Sequence, residues 1–312
     1  MIHQRMELHA GTGAYMETYL LSNSDQIQIG RRRGAVLICP GGAYLRTSDQ
    51  EAEQVALHFN ALGLHAAVVR YSCGANARMP GPLLELAWAV AQFRENAAKW
   101  YVDPERIAVC GFSAGGHLAA LLSTSYADAA KELKIEAKRV RPDRAILGYP
   151  VTDLNIPLPK VPLDGFTIGE VDPAAPGMAV IPLYRSALCA ESGAPRLDFR
   201  RAMLDALFGN PEPGRALLNQ FSPALHASGD TPPSFIWTTA NDNLVPASNA
   251  LNYAVALWSR GVPCEFHMFA DGVHGLSLAD STVADGPEGV NPPVSRWFSL
   301  AAAWLKKQGF LP

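Results

Sequence analysis

An α/β fold with a mostly parallel central sheet and helices on both faces is what this sequence predicts. Three observations point there. Short continuous apolar runs such as Gly34-Ala-Val-Leu-Ile-Cys39 read as strands buried on both faces. These runs alternate with segments of helical period, the pattern of a parallel sheet with crossover helices. Most of the runs end in Gly-, Pro- or Asn-containing turns that cannot continue a ladder.

Taken in order, 14–21 alternates enough for an early strand, and 34–39 is the first fully apolar one. It ends in Pro40-Gly41-Gly42-Ala43-Tyr44. Ser48-Asp-Gln-Glu51 has the form of a capping box, followed by Ala52, Val55, Ala56, Phe59 and Leu62 at helical spacing, with Gly63 as the stop. A strand at 65–71 comes next, then one long helix over 83–100, a strand at 106–110, and another at 144–149 that ends at Pro150. Residues 154–200 are dense in Pro and Gly without sustained period, apart from an amphipathic helix at 199–208. A long irregular stretch inside a compact domain is usually functional, and this one reads as a cap or lid inserted at about 154–220. Alternation returns in a strand at 234–240, a helix at 247–260, a strand at 263–269 and a closing helix at 291–308. There is no internal repeat, so 1–312 reads as one domain.

Composition narrows the function classes. Of the 312 residues, 48% are hydrophobic and 18% charged, an ordinary globular balance, and the net charge of −3 offers no footprint for nucleic acid or an anionic membrane. The cluster Arg31-Arg32-Arg33 reads as a solvated turn. No apolar run reaches the roughly 20 residues of a membrane span, and no basic start with an apolar core opens the chain. The five cysteines are scattered, without a C-x-x-C pair that would suggest zinc or redox chemistry. A reduced, cytoplasmic protein with neither metal nor organic cofactor is the expectation. Composition leaves homo-oligomerisation open.

Chemistry enters at Arg106-Ile-Ala-Val-Cys-Gly-Phe-Ser113-Ala-Gly-Gly-His117. A β-branched run, then Gly-Phe-Ser-Ala-Gly, then helix formers, is strand, sharp turn, helix. In such a nucleophile elbow the glycines permit a tight backbone that lifts the serine hydroxyl into a pocket. Active-site groups in these sheets collect at the carboxyl ends of strands, which sorts the eight histidines. His274, in Asp271-Gly-Val-His-Gly, follows the last strand. His58 lies on a helix, His267 inside a strand, and His65 at the wrong strand end. His3 and His9 fall in a loose terminus, His226 in a loop before a strand. His117, four residues past Ser113, suits a buttress better than a base. Asp242 lies directly after the penultimate strand and could orient His274, although it also suits an Asx-turn before the next helix. Asp271 shares the histidine's loop, and Asp153 follows an earlier strand. An oxyanion hole would draw on the N–H of Ala114 and on the Gly41-Gly42-Ala43 loop. Tyr44, just beyond that loop, is a candidate for lining the pocket.

These pieces together resemble the α/β-hydrolase superfamily, in particular the esterase/lipase branch similar to acetyl xylan esterases and small carbohydrate-acyl esterases. The matching segments are Cys39-Pro-Gly-Gly-Ala-Tyr44, the helix region with Glu51-Ala-Glu53, Gly111-Phe-Ser-Ala-Gly-Gly-His117, Asp242 with Val245-Pro246, and His274-Gly275. The resemblance implies Ser113 as nucleophile, His274 as base, Asp242 as acid, and an oxyanion loop at Gly42 and Ala43. The order Ser, Asp, His is that of the α/β-hydrolase elbow enzymes. The loop reads Pro-Gly-Gly-Ala where lipases of the hormone-sensitive type often carry His-Gly-Gly-Gly, which turns the reading away from a general lipase. The expected activity is hydrolysis of short acyl esters of carbohydrates or similar small molecules. A peptidase or amidase on the same residues, or a non-catalytic binding protein of this fold, are the alternatives.

Overall fold

A computed structural model of the chain describes residues 1–8, 11–162, 167–168, 180–181, 188–191 and 194–311. Its main sheet has eight strands. In chain order these are β1 (Ile2–Glu7), β2 (Tyr15–Leu20), β3 (Arg33–Cys39), β4 (His65–Arg70), β5 (Val102–Phe112) and β6 (Arg144–Gly148). Five short strands follow, β7 (Val161–Pro162), β8 (Thr167–Ile168), β9 (Val180–Ile181), β10 (Leu188–Glu191) and β11 (Ala194–Leu197), before β12 (Ser234–Thr239) and β13 (Cys264–Phe269) complete the main sheet.

The strand order is β1-β2-β4-β3-β5-β6-β12-β13. Strands β1, β2 and β4 are joined antiparallel, and every other pairing in that sheet is parallel. From β3 the chain passes to β4 on one side, while β5 lies on the other. The reversal opens a crevice between the carboxyl ends of β3 and β5, where ligands of such sheets bind. Cys39 pairs with Gly111 across this gap, so the loop leaving β3 emerges beside the turn leaving β5.

Apolar residues alternate between two core layers because side chains alternate across a strand. Ala35, Leu37 and Cys39 of β3 pack with α2 (Gly81–Glu95), α4 (Ser113–Leu133) and α8 (Ser248–Ser259), through Leu86, Val90, Leu118, Leu122 and Tyr253. Val36 and Ile38 face the other layer, formed by α1 (Glu53–Ala61) and α10 (Trp297–Lys307), with Val55, Phe59, Trp297 and Trp304. A fully buried Leu, Ile or Phe of this kind contributes about 1.5–3 kcal/mol, so both layers pin the strands that carry the site. Smaller helices fill the connections: α3 (Ala97–Trp100), α5 (Ala137–Val140), α6 (Phe199–Phe208), α7 (Arg215–Gln220) and α9 (Pro292–Ser295). No helix among the described residues is long and apolar enough to cross a membrane.

Several expectations need correction. The terminus holding His3 is not loose: β1 pairs in register with β2, and the His3 Nδ1–H donates to the Thr18 carbonyl at 3.0 Å. Strand β1 is exposed over nearly its whole length, so it carries no buried alternation to betray it. His9 lies outside the described residues. The single helix over 83–100 is two, broken at Asn96, and the closing helix is likewise two, broken at Arg296. The arginine cluster is not a uniformly solvated turn. Arg31 is half-buried and Arg32 exposed, whereas Arg33 opens β3, is buried, and donates its N–H to the Tyr101 carbonyl.

The capping box also fails. Helix α1 begins at Glu53 behind Ala52 with no side-chain cap, because Glu51 is drawn elsewhere, as described below. Helix α6 spans the residues the period predicts, capped by the Asp198 carboxylate on the Arg201 N–H. Much of the 154–220 insertion, including 169–179 and 182–187, lies outside the described residues.

Candidate active site

Strand β5 ends at Phe112 in extended backbone, and α4 starts at the next residue. Ser113 makes that change of direction itself, at φ +53°. The sequence reading gave the tight backbone to the glycines; the structure gives it to the serine. Gly111 and Gly115 are required for space instead. A Cβ on Gly111 would lie 2.2 Å from the Gly115 carbonyl oxygen, and one on Gly115 would lie 2.0 Å from the Cys39 oxygen. Helix α4 therefore sits directly against the end of β3.

The three separated residues meet. Ser113 Oγ lies 2.8 Å from His274 Nε2, and His274 Nδ1 lies 2.8 Å from Asp242 Oδ2. The carboxylate accepts from Nδ1–H, which leaves Nε2 to accept the serine proton. Asp242 is almost fully buried and His274 mostly so. The other carboxylate oxygen of Asp242 accepts the N–H groups of Leu244 and Val245 at 2.9 and 2.8 Å. Asp242 is thus both the Asx-turn residue and the partner of His274, one oxygen for each task. Asn243 Oδ1 accepts the His274 backbone N–H at 2.9 Å and fixes the loop from behind. A hydroxyl bonded to an imidazole that is itself oriented by a buried carboxylate can lose its proton as it attacks an electrophile.

Gly42 has φ +125°, open to glycine but strained for other residues, and a Cβ there would lie 2.3 Å from the Arg46 carbonyl oxygen. Ala43 and Tyr44 follow at φ +54° and +59°. This curl turns the Gly42 carbonyl back to accept from Leu45 and Arg46. The N–H groups of Gly42 and Ala43 make no hydrogen bond to a described residue. The Ala114 N–H stands in the first turn of α4, where no intrahelical acceptor exists and the helix dipole favours negative charge. Gly41 is different, because its N–H is taken at 2.5 Å by Glu51 Oε2.

Beside Ser113 opens a cavity of about 330 Å³. Gly42, Ala43 and His274 line it, together with Arg46, Ser48 and Gln50 and, from the 154–220 stretch, Val161 and Phe199. Tyr44 does not, and its assignment to the pocket is corrected. It is fully buried, and its hydroxyl donates to His117 Nδ1 at 2.7 Å. His117 Nε2–H in turn donates to the Phe221 carbonyl at 2.8 Å. Burial pushes the His117 pKa down to about 4, so this histidine is a neutral buttress, as its place four residues after Ser113 suggested. Among the described residues no three His, Cys, Asp or Glu side chains are grouped to hold a metal ion.

Sequence reasoning missed a buried network next to these groups. Glu51 Oε1 accepts the Tyr149 hydroxyl at 2.6 Å, and Tyr149 Oη accepts the Ser277 N–H at 2.9 Å. The Tyr149 ring packs edge-on to His274, with centroids 4.9 Å apart. Tyr149 and Ser277 also have positive φ, so the described non-glycine residues in that region include five at this site. Such strain costs about 1–3 kcal/mol per residue and collects at functional sites.

The BD-FAE family model matches residues 28–159, which contain the oxyanion-type loop and the elbow. The crystal structure of MGS-M1, an α/β hydrolase enzyme from a Medee basin deep-sea metagenome library, is 30% identical. It matches over 98% of this chain and 97% of its own, with a TM-score of 0.68. The acetyl ester-xyloside bifunctional hydrolase of Caldicellulosiruptor lactoaceticus is 28% identical over 99% of this chain and 97% of its own, at a TM-score of 0.73. Endo-1,4-beta-xylanase B of Butyrivibrio fibrisolvens is 29% identical over 263 residues, 83% of this chain but 35% of that protein. The chain spans 35–47% of the length of the curated relatives it matches. It belongs to the α/β-hydrolase superfamily, and it is similar to acetylxylan esterase and carboxylesterase members of that superfamily.

Proposed function

We propose that this chain is a serine esterase that hydrolyses short acyl esters, acetyl above all, of carbohydrates or similarly small polar alcohols. The observation that carries the reading is the unbroken chain from Ser113 Oγ through His274 to Asp242, two contacts of 2.8 Å opening on one cavity. His274 takes the serine proton as Oγ attacks the ester carbonyl. The amides of Gly42, Ala43 and Ala114 hold the oxyanion. His274 then passes the proton to the departing alcohol, and activates a water that releases the acid and restores Ser113. Asp242 keeps Nδ1–H bonded and stabilises the imidazolium formed in between. The reaction draws on no metal or organic cofactor.

The substrate class is supported by the lining. A cavity of this size suits a small acyl group, and Arg46, Ser48 and Gln50 on its wall carry hydrogen-bonding side chains. Val161 and Phe199 border it from the insertion, which favours the insertion as a cap that contributes to substrate choice. The likeness to an acetyl ester-xyloside hydrolase points the same way.

The test is a panel of acetyl, butyryl and feruloyl aryl esters, acetylated sugars and a peptide amide, with mass-spectrometric mapping of a fluorophosphonate adduct. Acetyl esters and acetylated sugars are expected to turn over fastest, with the adduct on Ser113. Turnover of the amide alone would make the chain an amidase. No turnover and no adduct would make it a binding protein.

A further inference from the structure

We infer that Glu51 is a positioning residue that holds the oxyanion amides and the His274 loop in one frame. The inference rests on the esterase reading above. One carboxylate oxygen takes the N–H of Gly41, the residue immediately before Gly42 and Ala43. The other takes the hydroxyl of Tyr149, whose oxygen in turn holds the N–H of Ser277, three residues beyond His274. Ser277 is further tied by its hydroxyl to the Gln50 carbonyl at 2.7 Å, next to Glu51 in the chain. A single buried side chain thus joins the loop after β3, the end of β6 and the loop after β13.

Proton accounting assigns this task to the ionised form. As a carboxylate, Glu51 accepts from Gly41 and Tyr149, and Tyr149 still accepts from Ser277, so every donor and acceptor is matched. A neutral carboxyl adds one proton to a cluster that already has a donor for each contact. Either it faces the Gly41 N–H, or it faces Tyr149 Oη and displaces the hydroxyl proton. Leaving a buried donor unmatched costs about 1–3 kcal/mol. Burial opposes ionisation and raises the Glu51 pKa, while Tyr149, Gly41, His274 and Arg46 draw it back down. Tyr71 from beyond β4 and Cys110 from β5 complete the titratable groups that face it. With both oxygens engaged, Glu51 acts on the chemistry through Gly41 and Tyr149.

The experiment compares Glu51→Gln and Tyr149→Phe with the wild type on an aryl acetate, across pH 4–8. A glutamine keeps the size but cannot accept from both partners. The expected result for E51Q is a kcat about 10²-fold lower, the scale of losing one oxyanion donor, with KM within about threefold. Its acid limb should lose whatever the Glu51 ionisation contributes to the wild-type profile. Y149F, which keeps Glu51 and its Gly41 contact, should fall between the two in kcat, with the Glu51 ionisation moved to higher pH because the hydroxyl that favours the carboxylate is gone. A folded E51Q with wild-type kcat and an unchanged acid limb overturns the inference. Should E51Q not fold, wild-type kinetics in Y149F overturn it equally. Ser113→Ala separates the two levels: if it stays active the esterase reading falls, and if it is silent while E51Q keeps wild-type kcat and an unchanged acid limb, only the role of Glu51 falls.

Discussion

Ser113→Ala should lower kcat on an aryl acetate by about 10⁶-fold, the scale measured when a triad serine is removed elsewhere. The loss should appear without unfolding. Alanine at φ +53° bears a backbone strain similar to serine's, and what disappears is the one hydroxyl that His274 Nε2 engages. Substrate should still enter the cavity beside Gly42 and Ala43 and meet their amides, so residual catalysis of about 10³–10⁴ over water is expected from them. Removing His274 from the same variant should add little, because groups acting as a unit are not additive. Circular dichroism together with steady-state kinetics checks the result. A folded variant that keeps a tenth of the activity would mean that a different group attacks the ester.

The second large effect is expected in stability. Gly115→Ala should cost at least about 3 kcal/mol, the upper range for forcing a methyl into packed space. The new Cβ would lie 2.0 Å from the Cys39 oxygen and 2.4 Å from the Pro40 oxygen, both on the backbone. Neither can turn aside like a side chain, so α4 and the end of β3 must separate. That movement also shifts the loop carrying Gly42, so molecules that fold should be poor catalysts too. Gly81→Ala supplies the control. It begins α2 with no atom within 4 Å of the added carbon, and alanine there should be neutral or stabilising by up to about 1 kcal/mol. Denaturant midpoints for the two variants test the contrast. Equal midpoints would show that the β3–α4 contact yields more easily than its geometry indicates.

What could be read from the residues, and what could not, divides along physical lines. Val36, Leu37 and Ile38 announced β3 because a strand covered on both faces must be apolar throughout. Ser113, Asp242 and His274 were legible because each follows a strand end, and strand ends were visible. β1 was hidden because its exposed side chains carry no alternation. Glu51 was misread because Ser-x-x-Glu is a local pattern, whereas its actual partners lie ten and 98 residues away in the chain. Tyr44 was placed in the pocket by proximity to Gly42, but two successive residues in left-handed backbone turn its side chain into the core against His117. Gly115 looked like a residue chosen for backbone freedom and proves to be one chosen for size. For Glu51, Tyr44 and Gly115 the deciding contact is distant in sequence.

The position of β13 has a consequence for how this molecule would lose its activity. It is one of the two edge strands of the main sheet, paired on one side only, and its carboxyl end leads to His274. Serine and the oxyanion amides hang instead from β5 and β3 in the middle of the sheet. Edge elements open locally at a lower free energy than central ones. Moderate heat or denaturant should therefore detach the imidazole from Ser113 while the sheet's centre is still closed. Inactivation and unfolding become two separate transitions, with the edge of the sheet setting the first.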